Sequence, residues 1–128
     1  KTKELPTFEE LFHDKINAQK VISILDENEY TKNGKWVYTG NEKGIATAYY
    51  VLRDEYPEIQ IAKTTIKLST ALRVWCKQFG IIAYSSKDNY KGDVTLQNLT
   101  NRPKYEIELK PDYIQFMNLF KLHFNQSK

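Results

Sequence analysis

Apolar residues recur along this chain at helical intervals through its first two thirds. Phe8, Leu11 and Phe12 open the pattern. They follow Thr7 and accompany Glu9 and Glu10 in a capping box, where the threonine hydroxyl accepts from an amide one turn on and the glutamate reaches back. Val21, Ile22 and Leu25 resume the spacing and predict a helix from about Ala18 to Asn28. Thr31 to Gly34 is a turn signal, and Trp36 to Thr39 predicts a short strand closed by Gly40. Asn41 is placed to cap a helix carrying Ile45, Ala48, Tyr49 and Leu52, with Pro57 ending it.

Thr64 or Thr65 is placed to cap the next helix, which runs to Phe79. Its apolar stripe is Leu68, Ala71, Leu72, Trp75 and Phe79. Gly80 suits the residue after the cap, and Ile81 supplies the apolar contact of a Schellman ending. Strand-like runs follow at Ile81 to Ser85, Val94 to Gln97 and Lys104 to Leu109. They are divided by the polar loop Lys87 to Asp93 and the turn Asn98 to Pro103. The first two runs predict a β-hairpin. A last helix over 111–126 starts at Pro111, with Asp112 near its positive end, and buries Tyr113, Phe116, Met117, Phe120 and Phe124. Ile114, Leu119 and Leu122 lie beside that stripe. They offer a surface for a second copy or a protein partner, or else packing across the same domain.

The fold class expected is α+β. Its 128 residues fit one domain, 1–128, with a polar lead-in over 1–6. Nine Tyr, six Phe and two Trp can fill a core without disulfide or metal. Cys76 is the single cysteine, which fits a reducing, cytoplasmic setting. The chain shows no bilayer-length apolar run and no signal-peptide pattern. Beginning at Lys1 rather than Met, it leaves upstream domains open.

Charge is where the chain departs from a uniform pattern. The net charge is only +3, yet residues 59–87 hold five Lys or Arg and no Asp or Glu. A long stretch without a carboxylate, in a chain otherwise rich in them, points to an anionic partner.

The order helix, short strand, helix, helix, hairpin over residues 18–109 resembles a winged helix-turn-helix domain. The segments "TFEELF" and "GIATAYYVL" resemble, in style, winged-helix regulators of bacterial mobile elements and conjugative transposons. The resemblance implies a winged-helix-like helical core, a small antiparallel β-hairpin or sheet and an extra C-terminal helix. It also implies a DNA-binding module in transcription or mobile-element regulation, whose second helix enters the major groove with the hairpin beside it. The connection Pro57 to Lys63 is longer than the usual helix-turn-helix turn.

The residues make a parallel case. Opposite the apolar stripe of the Trp75 helix lie Lys63, Lys67, Thr70, Arg73 and Lys77. Lys and Arg neutralise phosphates and release counterions; Arg and Thr can also contact bases. Lys63, Thr64 and Thr65 would place free amides near a phosphate. Lys87, Tyr90 and Lys91 would form a wing tip, with Tyr90 able to stack or to bond phosphate. The bland alternatives are a solvated helix face and an ordinary hairpin tip. Duplex DNA is the expected partner; RNA, or a protein partner on the same scaffold, remains open. Trp36 and Tyr38 fit packing better than base stacking.

No catalytic, metal or cofactor pattern is apparent. His13 and His123 are far apart in sequence, Cys76 sits among apolar residues, and no paired Cys, HExxH or phosphate-binding loop occurs. The chain is therefore expected not to be an enzyme and to carry no cofactor.

Overall fold

The computed structural model describes residues 6–37, 42–56, 66–100 and 111–124. Helices α1 (Lys15–Glu27), α2 (Glu42–Glu55), α3 (Leu68–Gln78), α4 (Leu96–Thr100) and α5 (Pro111–Phe124) dominate an α+β fold. Among the described residues four two-residue strands accompany them: β1 (Thr31–Lys32), β2 (Lys35–Trp36), β3 (Ala83–Tyr84) and β4 (Val94–Thr95).

The capping box forms as the sequence predicts. Thr7 N–H donates to Glu10 Oε1 at 2.8 Å, and Glu10 N–H to Thr7 Oγ1 at 3.3 Å. It supports only a 3-10 turn, Glu9–Leu11, because Phe12 leaves in an extended conformation. Asp14 caps α1 afresh by accepting from Ile16 N–H at 2.9 Å. α1 ends with Tyr30 N–H bonded to Leu25 O and Glu29 N–H to Asp26 O, a Schellman pattern that holds Glu29 at φ 69°.

The antiparallel hairpin lies before α2. Thr31 faces Trp36 and Lys32 faces Lys35, around Asn33 (φ 55°) and Gly34 (φ 81°). Two left-handed residues in a two-residue turn match the twist of the flanking strands, which is why Asn-Gly favours this geometry.

α2 is the central element, with Ile45 to Leu52 buried on every side. α5 packs along it, with Tyr113 Oη donating to Glu55 at 2.8 Å. On another side stands α3, whose Trp75 is fully buried and donates through Nε1 to Ile45 O at 2.8 Å. Phe8, Tyr49 and Phe79 ring Trp75 at centroid distances of 5.5, 5.6 and 5.3 Å. Trp36 is a packing residue, as expected: it stacks on Tyr30 and meets Phe79 and Phe116. α4 is held by buried Leu96 and Leu99, and Tyr50 Oη donates to Leu99 O at 2.7 Å.

Three expectations are corrected. The runs after α3 do not form an antiparallel hairpin: β3 and β4 pair in parallel, Ala83 with Val94 and Tyr84 with Thr95. The chain between them folds back, so β4 enters from the same end as β3. Asp93 fixes that return, donating its N–H to Ile82 O at 2.7 Å while its Oδ2 accepts from Ile82 N–H at 2.8 Å. The strand expected over Val94 to Gln97 stops at Thr95, whose Oγ1 accepts from Asn98 N–H and starts α4 instead. Finally, α3 begins at Leu68 with Lys67 as its N-cap, where Thr64 or Thr65 was the expected cap, since Lys67 is extended at φ −65° and ψ 150°. Its other end is as predicted, with Gly80 N–H bonded to Lys77 O and Ile81 N–H to Cys76 O. Tyr38, Asn41 and the run Lys104 to Leu109 lie outside the described residues.

Candidate nucleic-acid interface

The helical period that buries Ala71, Leu72, Val74, Trp75 and Cys76 turns Thr70, Arg73 and Lys77 to the other side of α3, while Lys67 stands at its N-cap. Lys67 and Lys77 are exposed, and Thr70 is half-buried. Because α3 starts at Leu68, its free amides belong to the turn after Lys67; the sequence candidates Lys63, Thr64 and Thr65 lie outside the described residues.

Arg73 departs from the sequence expectation of a free, outward cation. Its Nη1 lies 2.6 Å from Tyr90 Oη, 3.1 Å from Asp88 Oδ2 and 3.3 Å from Ala83 O. The guanidinium therefore ties the loop 85–93 to the outer face of α3. Asp88 also accepts from Ser85 N–H at 2.8 Å. That backbone bond first, and Arg73 second, hold the Asp88 carboxyl below its ordinary range. Gly92 completes the docking. A Cβ there would meet Ile82 Cγ2 and Ile82 O at 2.6 Å each, so the close approach requires glycine.

The loop thus brings Tyr90 and Lys91 beside Arg73 and Lys77. These four, with Ile82 and Ala83, line a groove of about 420 Å³. Lys87 is exposed on the same loop but does not line the groove. Folding also adds two carboxylates, Asp88 and Asp93, to a face that is acid-free in sequence. Asp88 is matched to Arg73, whereas Lys67, Lys77, Lys87 and Lys91 have no carboxylate within salt-bridge distance among the described residues.

The chain matches no protein family, no curated protein and no solved structure.

What the face can do follows from its own groups. It can present ammonium groups to an anion, and the groove interior can cover an apolar surface. Asp88, Ile82 and Gly92 are the members that sequence reasoning missed. Ser85 and Asp88, three apart, carried a usable turn signal; nothing local marked Ile82 or Gly92.

Other groups fall away from this face. Cys76 is buried in α3, and burial pushes its thiol up to about 12. No set of three His, Cys, Asp or Glu is placed to hold a metal ion among the described residues. No described helix is long and apolar enough to cross a membrane.

Proposed function

We propose that the chain binds nucleic acid through the outer face of α3 and the loop 85–93, as a non-enzymatic module of winged-helix-like type in a cytoplasmic regulator of transcription or of a mobile element. The observation that carries this reading is the pair Lys77 and Lys91 beside Arg73 at one groove, neither lysine having a carboxylate within salt-bridge distance among the described residues. Such a face releases counterions on meeting phosphates, which makes affinity fall with salt. Duplex DNA is the partner to test first. In this arrangement Arg73 positions the loop, and the lysines meet the backbone.

The test is fluorescence anisotropy of the protein with random-sequence duplex DNA over a salt series. Affinity falling linearly on logarithmic axes is expected, with the slope reduced by about 0.9 for each lysine removed from a phosphate. Absence of binding at low salt would refute the reading.

A protein partner on α5 is the second reading. Ile114 and Leu122 are 47% and 76% exposed. Leu119, the third residue of that expected surface, instead packs partly against the core. Sedimentation as a monomer at high micromolar concentration would argue against a homodimer through this helix.

A further inference from the structure

The groove between α3 and the loop 85–93 has a composition that phosphate contact alone does not use. Its interior is mostly apolar, formed by Ile82, Ala83 and Tyr90, with Lys77 and Lys91 among its lining residues. Ile82 and Tyr90 are each 51% exposed, so the apolar surface is open to a ligand. The volume of about 420 Å³ falls within the roughly 300–1,000 Å³ of small-molecule pockets.

The wall is also held in place. Tyr90 Oη accepts from Arg73 at 2.6 Å, and Arg73 is anchored in turn by Asp88 at 3.1 Å. With its hydroxyl engaged, Tyr90 has its ring left to offer. Gly92 lies so close to Ile82 that the loop cannot carry a side chain there without shifting. A fixed aromatic ring beside free ammonium groups is preorganised for one chemistry: a flat, apolar-faced group attached to a phosphate.

We propose that this groove receives an unpaired nucleotide, its base against Tyr90 and Ile82 and its flanking phosphates at Lys77 and Lys91. The inference rests on the nucleic-acid reading above and narrows it. A duplex presents mainly its phosphates to such a surface and leaves the apolar floor uncovered. A nucleotide outside a stack has a free π-face to cover it. The favoured ligand is therefore a single strand, or a duplex containing an unpaired base.

The experiment compares three fluorescent probes of equal length on the wild-type protein: oligothymidylate, an oligomer of abasic sugar-phosphates, and a duplex. Oligothymidylate is expected to bind more tightly than the abasic strand by about 5- to 150-fold, the range for one stacked base. Tyr90→Leu should erase most of that difference, and Tyr90→Phe, which keeps the ring but loses its bond to Arg73, should retain the larger part of it. Lys77→Gln should weaken both single-stranded probes alike. Equal affinity for oligothymidylate and abasic strand, with salt-sensitive binding intact, overturns the base pocket while leaving the phosphate-binding face standing. Failure of all three probes to bind at low salt overturns both. The wild-type comparison needs no variant, so loss of folding in Tyr90→Leu would not protect the proposal.

Discussion

Replacing Gly92 with alanine tests whether the loop 85–93 is locked onto the body of the domain. The added methyl would lie 2.6 Å from both Ile82 Cγ2 and Ile82 O, and 3.0 Å from Ile82 Cβ. The Ile82 side chain can turn aside; its carbonyl cannot, because it accepts from Asp93 N–H at 2.7 Å and from Val94 N–H at 3.3 Å. Relief has two routes. The backbone at Ile82 can shift under the overpacked contact, at about 1–3 kcal/mol. Alternatively the loop can lift, losing hydrogen bonds worth about 1 kcal/mol each in net terms. Either route predicts a loss of about 1–3 kcal/mol, or about 4–12 °C in Tm for a domain of this size. Circular dichroism gives the Tm, and hydrogen exchange at the Ile82 and Asp93 amides reports the local opening. Gly34→Ala is the control for backbone strain, since nothing lies within 4 Å of a Cβ there although φ is 81°. A Gly92→Ala variant with wild-type Tm and wild-type amide protection would refute the reasoning.

Other consequences follow from the same contacts. Lys67→Glu should weaken nucleic-acid binding without loss of stability, because Lys67 is exposed at the positive end of α3; Arg73→Glu should lower both, since it sets a carboxylate against Asp88 and frees the loop. Thermal melts beside anisotropy separate the two, and an Arg73→Glu protein with unchanged Tm would contradict the anchoring role. Asp88 has a folded pKa below its ordinary 3.8, so its contribution is present above that value and disappears as pH falls through the lower folded one. The Tm advantage of wild type over Asp88→Asn should accordingly shrink below about pH 3.8; an advantage independent of acid would oppose this. Cys76 should resist alkylation at pH 8 until the protein unfolds, because burial raises its thiol to about 12; rapid labelling of the native protein would contradict the buried placement. Glu29→Gly should stabilise the fold by about 1 kcal/mol by relieving left-handed strain at φ 69°; a thermal melt with no rise in Tm would contradict this.

Much of the helical framework was legible because its signals are local. The Thr7 and Glu10 box and the Gly80 ending each depend on residues a few positions apart and form as the spacing predicts; the turn expected over Thr31 to Gly34 narrows to Asn33 and Gly34, because Thr31 and Lys32 join β1 and the second strand is Lys35–Trp36 rather than one starting at Trp36. The periods of α2, α3 and α5 likewise identified Tyr49, Trp75 and Phe116 as core. Leu96 and Leu99 carried the same spacing over too few residues to be told from a strand end. The candidate site was half legible. Periodicity alone put Thr70, Arg73 and Lys77 on one side of a helix, since a basic face requires only a helix buried on its other side; Lys67 instead precedes the helix as its N-cap.

The chain's own order of residues therefore determined the four longer helices and which side of each is buried. Tertiary structure decided what the charged side chains meet. Alternation cannot say whether two short runs pair in parallel or antiparallel; that depended on the path of the loop 85–93, set by Arg73 reaching a residue seventeen positions away and by Gly92 closing on Ile82. Arg73 looked like a free cation because the sequence shows its period but not its partners. Ion pairing and close approach depend on distance in space, and distance in the chain carries little information about either.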